Sequence, residues 1–442
     1  TLQFIGDDAW REYDRMVAAA TKDLAYIVED ARANGVCCLG PWNMSCHMNL
    51  RPHKEKTFTY KDFTTSGMKP LFAKEGVSEF DYWTKNAGKG YITQPGTEDV
   101  EQAFRPLAAI DRSRRSGYYP NAPIEREIYI VNDTKREIKG TFICELKRGS
   151  IVKRRYRCKI KIERGETQKL NFTLKPVNKY GAFTQVLKIK KGLRTMECRE
   201  KPIRIANPKV FTPKNRVAVI GGGYFKQLLT EIGAAFEYNP QTLDGFGTLI
   251  IEKDAVEAGS GLNQTIKTFA EKGGSVLIFE QRVSPMPGVK LVQKPVQTAF
   301  IRSFDTVLTE GIENADLAMW SEDPYTLISG DAFVALKMYQ KDDGTFIKPI
   351  LDSGEGDFGD GDLSLTPLFE TTVGKGRVIA CQMRVTDKYN EIPAAKQLIF
   401  NMLKCAEETD VVRKTPKVLD SLVEAAAALS GMRRGDEFII FR

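Results

Sequence analysis

The chain has 442 residues, 42% of them hydrophobic and 28% charged, with 65 Lys and Arg against 57 Asp and Glu for a net charge of +8. These totals exclude a disordered or fibrous chain. The lack of any apolar run of about 18 residues excludes a membrane-spanning helix, and the length asks for two or three domains rather than one core.

In chain order, residues 8–33 predict a long amphipathic helix. Trp10, Tyr13, Val17, Leu24, Ile27, Val28 and Ala31 follow the three-and-four spacing of a buried stripe, Asp7 or Asp8 caps the start, and Asn34-Gly35 stops it. Residues 36–40 predict a short apolar strand, followed by the polar-aromatic loop PWNMSCHMNLRPH. Helix, glycine turn, buried strand and loop make one αβ step of a barrel or open sheet, with the loop on the functional face; residues 1–53 are assigned to this step. Residues 54–102 show little periodicity and carry aromatics such as Tyr60, Phe63, Tyr82 and Trp83, which suits a linker or a wrap over a neighbouring domain.

Residues 103–208 predict an antiparallel β-sandwich. Apolar and polar residues alternate, turning Phe142, Cys144 and Leu146 inward from one strand and Leu170, Phe172 and Leu174 from another. Turns at Asn132-Asp133, Arg164-Gly165 and Lys191-Gly192 separate the runs, as an immunoglobulin-like fold requires. The charge is concentrated here: residues 111–206 hold 26 Lys and Arg against 10 Asp and Glu, or +16, which leaves −8 for the rest of the chain.

From Arg216 the regime changes. Strand-like runs at 216–220, 248–252, 275–279 and 376–382 are interspersed with helical patterns at 224–232, 262–272 and 394–406, which implies a parallel sheet within residues 209–408. A further helix at 419–429 and a strand at 437–441 make residues 409–442 the start of another unit. The opening TLQFIGDDAW carries neither an initiator Met nor a signal pattern, and the chain stops in the strand-like DEFIIFR. Both ends are therefore expected to be cuts in a larger polypeptide.

Four stretches are candidates for chemistry. Gly221-Gly222-Gly223, after a strand and before a helix, has the position of a phosphate cradle. It lacks a full GxGxxG, since the sixth position is Lys226, and the acidic residue expected about 20 positions on has only the turn residue Asp244 to offer. A tight turn without a ligand is the favoured reading. Arg155, Arg157, Lys159 and Lys161 line one face of a strand, with Tyr156, Cys158, Ile160 and Ile162 on the other. Such a stripe is either a solvated edge protected against aggregation or a surface for a polyanion. No aromatics are interleaved with the cations, which disfavours nucleic acid. The acidic loop DSGEGDFGDGD at 352–362 lacks the twelve-residue calcium pattern and reads as a hairpin tip. Trp42, Asn43, His47 and Arg51 combine an aromatic with amide, imidazole and guanidinium groups, either a packed loop or the lining that stacks and hydrogen-bonds a sugar.

His47 and His53 are the only histidines, so no Ser-His-Asp, Cys-His or His-metal arrangement can be built within residues 54–442. The eight cysteines show no CxxC spacing and read mostly as reduced core residues. No metal and no cofactor is called for.

The segments ARANGVCCLGPWNMSC, AFRPLAAIDR, REIYIVNDTKREIKGTFICEL, TPLFETTVGKGRVIACQMRV and AAKQLIFNML together resemble the C-terminal part of glycoside hydrolases of the family 2 type, β-galactosidase-like enzymes with clan A barrels. The resemblance covers residues 10–52 and 103–406. It implies the end of a (β/α)8 barrel, then an immunoglobulin-like sandwich, then a class I glutamine-amidotransferase-like (flavodoxin-like) α/β domain. It further implies that residues 36–40 are the last barrel strand, that Trp42 lies by a sugar subsite, and that both catalytic carboxylates lie upstream of Thr1. The α/β domain departs from a working amidotransferase in having no His and no Cys between Cys198 and Cys381. The expected function is thus the C-terminal segment of a glycosidase acting on poly- or oligosaccharides, inactive by itself. The rival is a non-catalytic module that binds an acidic polysaccharide through the basic sandwich. The expected partner is a carbohydrate; homo-oligomerisation stays open, and family resemblance favours a periplasmic or secreted location.

Overall fold

The computed structural model describes residues 21–22, 24–36, 51–52, 91–92 and 96–408, apart from 258, 260, 304–305, 321–332, 341–346 and 354–364. The chain forms two compact units, one of residues 1–105, 354–364 and 412–442, the other of residues 106–353 and 365–411.

In the first unit, helix α1 (residues 24–33) packs Leu24, Ala25 and Val28 against Val100 and Ala103 of helix α2 (Thr97–Ala103). The buried face differs from the expected stripe: Ile27 is 56% exposed, and Arg32 is buried in its place. Arg32 turns inward because its guanidinium meets the carbonyls of Ala103 and Arg105 at the end of α2, where a cation complements the helix dipole. The predicted stop holds. Gly35 has φ 79°, and the amide of Val36 returns to the Ala31 carbonyl at 2.9 Å. Arg51–Pro52 and Tyr91–Ile92 pair as a short antiparallel ladder. The expected strand at 36–40, apart from Val36, most of the 54–102 segment, and the elements after 408 lie outside the described residues.

The second unit starts with two sheets that share a core. Strands β1 (Leu107–Asp111), β3 (Ile124–Asn132) and β6 (Thr167–Leu174) form a three-stranded sheet in the order β1-β3-β6. Strands β2 (Gly117–Tyr118), β4 (Ile138–Arg148), β5 (Ile151–Ile162), β7 (Gly181–Lys191) and β8 (Arg194–Ile205) form a five-stranded sheet in the order β2-β8-β7-β4-β5. The predicted alternation is realised. Phe142, Cys144, Leu146 and Leu174 are buried between the sheets with Ile128 and Ile130, and the Tyr156 and Phe172 rings stack at 3.9 Å.

Two polar features set this sandwich. Asn132 is fully buried; its Nδ2 donates to the carbonyls of Arg136, Ile162 and Glu163, and its Oδ1 accepts from the amide and hydroxyl of Thr134. One amide thus ties the β3–β4 turn to the β5–β6 hairpin. Arg126 occupies an inward position of β3, held by Tyr118 Oη at 2.7 Å and by Gln185, which in turn donates to Asp111 at 2.7 Å. Burial alone would raise the Asp111 carboxyl, but Lys201 and Arg126 outweigh it and hold it below its ordinary value.

The unit continues into an eight-stranded mixed sheet. Its strands are β9 (Val217–Ile220), β10 (Phe236–Tyr238), β11 (Thr248–Ile251), β12 (Ser275–Ile278), β13 (Ala299–Ile301), β14 (Lys348–Ser353), β15 (Leu368–Val373) and β16 (Gly376–Cys381), in the order β10-β9-β11-β12-β16-β15-β14-β13. The first five in that order are parallel. Runs such as TLII and SVLI are buried on both faces, as central parallel strands require. Helices α3 (Lys226–Glu231) and α6 (Pro393–Ala406) cover one face, and α4 (Leu262–Glu271) the other. The parallel part matches the expectation. The three antiparallel strands β13 to β15 extend it beyond what was expected, from a stretch with no clear period.

Within this unit the sandwich is fastened to the mixed-sheet part by polar contacts. Arg204 pairs with Asp316 and donates to the Gly311 carbonyl at 2.8 Å, Tyr119 Oη donates to the Tyr389 carbonyl at 2.5 Å, and Ser116 Oγ to that of Ala315 at 2.9 Å. Among the described residues no helix is long and apolar enough to cross a membrane.

Candidate functional site: the strand-end crevice and the basic sheet face

Open parallel sheets place ligands outside the carboxyl ends of their strands, where the strand order reverses. Here that point lies between β9 and β11, and Gly221-Gly222-Gly223 follows β9 directly. The chain's own Glu252, one residue past β11, fills it. Glu252 accepts from the amides of Gly223 at 2.6 Å and Phe225 at 2.8 Å and from Tyr238 Oη at 2.7 Å, and it is fully buried. The Tyr238 hydroxyl is pushed up by burial and by this carboxylate. Gly221 closes the arrangement: a Cβ there would fall 2.5 Å from the Glu252 Cβ. The donors that would hold a phosphate are satisfied by a carboxylate of the same chain, which gives the tight-turn reading its physical basis.

Next to it, Glu280 follows β12. Its carboxyl accepts from the Thr386 amide at 2.9 Å and from the Thr386 hydroxyl at 2.6 Å. Burial, only partly offset by those bonds, pushes it up to about 7. Thr386 sits on the single-turn helix α5 (Val385–Lys388), which Lys253 also anchors through Asp387 at 2.7 Å. Gln281 holds the strand ends together through the carbonyls of Glu252 and Phe279, both at 2.7 Å. Cys381, at the end of β16, is fully buried and its thiol is pushed far up by burial and by Glu280, the opposite of an activated nucleophile. The five described cysteines are all free. Among the described residues no three His, Cys, Asp or Glu side chains gather as metal ligands would.

The second candidate is the outer face of the five-stranded sheet. On β5, Arg155, Arg157, Lys159 and Lys161 are exposed while Ile160 and Ile162 are buried, with Tyr156 and Cys158 in between. The four cations are not equivalent. Arg155 binds Glu145, with its Nη2 at 2.6 Å, and Lys188 of β7 reaches the same carboxyl at 3.2 Å. Burial would raise Glu145, but these bonds hold it below its ordinary value. Lys161 pairs with Glu137 and Glu163, both at 3.1 Å, and Lys139 also pairs with Glu137. Lys139 and Lys161 depress the Glu137 carboxyl to about 2. Arg157 and Lys159 make no ion pair among the described residues.

Trp42, Asn43 and His47 lie outside the described residues, and of Arg51 only the backbone ladder is described. The acidic loop is described only at Asp352, which is buried and paired with Arg302 at 3.0 Å, and at Ser353. Sequence reading passed over Glu252 and Glu280. Their signal was available, a glutamate at the end of an apolar strand run in TLIIE and SVLIFE, but nothing local distinguishes an internal acceptor from a catalytic group.

No family model and no curated protein matches the chain. Among solved structures it is similar, over part of its length, to a cycloisomaltooligosaccharide glucanotransferase of a Paenibacillus species complexed with cycloisomaltoheptaose (8% identity, 39% of this chain and 27% of that one, TM-score 0.20). It is also similar to a β-glucuronidase from glycoside hydrolase family 2 (10% identity, 40% and 20%, TM-score 0.19). A third likeness is to a β-glucosidase of Erythrobacter marinus (16% identity, 21% and 14%, TM-score 0.17). The chain spans between 14% and 27% of the lengths of these three. Each is named for a carbohydrate activity.

Proposed function

We propose that this chain is the non-catalytic C-terminal part of a glycoside hydrolase acting on poly- or oligosaccharides. In this reading the sandwich is the immunoglobulin-like domain, the mixed sheet is the amidotransferase-like domain without its chemistry, and the catalytic carboxylates lie upstream of Thr1. The observation that carries the reading is the filled strand-end crevice: Glu252 takes the glycine-turn donors and Glu280 is tied to Thr386, so neither carboxyl faces a substrate. The sequence resemblance supplies the enzyme class. A retaining or inverting glycosidase needs two carboxylates flanking the scissile bond, and Glu252 and Glu280 are both committed to partners within the chain.

The test is the native polypeptide, its mass and its activity. The expected result is several hundred further residues with two barrel carboxylates, hydrolysis of glycosides by the native protein, and none by residues 1–442. Hydrolysis by residues 1–442 alone would overturn the reading. A native chain that lacks a barrel and binds without hydrolysing would establish the second reading, a module for acidic polysaccharide, which the exposed cations Arg157 and Lys159 favour.

A further inference from the structure

Strand register adds a cation that the sequence stripe did not contain. Thr141 on β4 is opposite Lys159 of β5 on one side and opposite Lys190 of β7 on the other. Residues directly opposite in a sheet share a face, so Lys190 belongs to the same outer surface, and Arg157 flanks Lys159 two positions along β5. Strand geometry puts the Arg157 and Lys159 backbones about 7 Å apart and those of Lys159 and Lys190 about 10 Å apart, within reach of one another for such long side chains. Like Arg157 and Lys159, Lys190 makes no ion pair among the described residues, whereas Arg155, Lys161, Lys139 and Lys188 are all engaged by Glu145, Glu137 or Glu163. Three cations without an ion pair therefore flank Thr141, beside five paired ones, Lys139, Lys147, Arg155, Lys161 and Lys188, that share three carboxylates.

We propose that Arg157, Lys159 and Lys190, grouped round Thr141, bind the sulfate groups of a linear sulfated polysaccharide; this deepens, and rests on, the carbohydrate reading above. Two of the three cations are lysines, point charges that suit a tetrahedral oxyanion rather than the planar carboxylate for which paired guanidinium groups are built. Thr141 adds a hydroxyl donor at the centre. Nucleic acid fits less well, because the aromatic rings of this strand region, Tyr156, Phe142 and Phe172, pack against one another on the inner side and leave no stacking platform among the cations.

The test uses the full chain with dextran sulfate, polygalacturonate, neutral dextran and a single-stranded oligonucleotide as probes. Dextran sulfate is expected to bind most tightly, with affinity falling steeply with salt. The triple variant R157Q/K159Q/K190Q is expected to weaken it at least tenfold and flatten the salt dependence. K161Q, which removes a paired cation, is expected to change it less than twofold. All three side chains sit on the solvent face, so unchanged melting of the triple variant serves as the folding control. Wild-type binding by the triple variant overturns the proposal, as does polygalacturonate or the oligonucleotide binding as tightly as dextran sulfate. Failure here with hydrolysis by the native protein intact would leave the glycosidase reading standing. The reverse outcome would leave the site and remove the enzyme.

Discussion

The Glu252 carboxylate lies 2.6 Å from the amide nitrogen of Gly223, a residue 29 positions earlier in the chain. Through this bond and the one from Phe225, the turn after β9 is held by an anion that cannot leave. Glu252→Ala strands the buried Phe225 amide and leaves the half-buried Gly223 amide and Tyr238 hydroxyl without this partner, and an unsatisfied buried group costs about 1–3 kcal/mol. Urea denaturation should therefore show a loss of about 2 kcal/mol or more. Gly221→Ala should lose about 2 kcal/mol or more, because its Cβ would clash with Glu252, whereas at Gly222 the nearest atom is a Tyr224 ring carbon at 3.7 Å and the substitution should be tolerated. Equal effects at the two glycines would mean that Glu252 does not fill the turn.

Asn132 should be irreplaceable by its nearest isostere. Its Nδ2 faces three carbonyl oxygens, so Asn132→Asp sets a carboxylate oxygen against acceptors. A loss of about 3 kcal/mol or more is expected, exceeding that of Asn132→Ala. If Asp is the milder change, the amide is oriented the other way round.

Glu280 predicts a pH dependence of known sign. Its carboxyl is raised from 4.5 to about 7 in the folded protein by burial, so the folded state holds a proton that the unfolded state releases. Its stability contribution is complete below about pH 4.5 and is lost as pH rises to about 7, a total of about 3 kcal/mol. Glu280→Gln keeps an acceptor for the Thr386 amide, and its NH2 can donate to the Thr386 hydroxyl, which turns from donor to acceptor. The variant should match wild type at pH 4 and exceed it by about 3 kcal/mol at pH 8. Parallel stability curves for the two proteins across this range would refute the assignment.

At the junction of the sandwich with the mixed sheet, Arg204 faces a buried Asp316 whose carboxyl burial raises and Arg204 opposes. Removing one partner of such a pair leaves an uncompensated charge. Arg204→Ala should cost about 3 kcal/mol at pH 7, and Arg204→Ala with Asp316→Asn should recover much of that loss. A double variant no better than the single one would show that the pair is not coupled.

The glycine turn, the basic strand and the sandwich turns were legible in the sequence because each depends on neighbours within a few residues. The same is true of the period of two in REIYIVN and of the buried stripe in AAKQLIFNML. Less was legible of the candidate sites. Lys190 joins Arg157 and Lys159 only because β4 lies between β5 and β7, and no local pattern encodes which strands are neighbours. The strands β13 to β15 escaped for a related reason: β13 has three residues, KPILDS and LFETTV mix polar and apolar residues without the apolar run of VAVI, TLII or SVLI, and pairing with β16 and with one another defines them.

What the sequence determined by itself is the longer elements and, for the sandwich strands and α6, the face each presents to water, since backbone preference and apolar period act locally. Tertiary structure alone decided where the polar residues go. Arg126 sits at an inward position of β3 because Tyr118 and Gln185 come from other strands to meet it, and Glu252 became an internal ligand because β9 lies beside β11. A buried charge is stable only with partners, and its partners here are remote in the chain, so whether it holds the fold or serves a ligand is settled when the strands assemble.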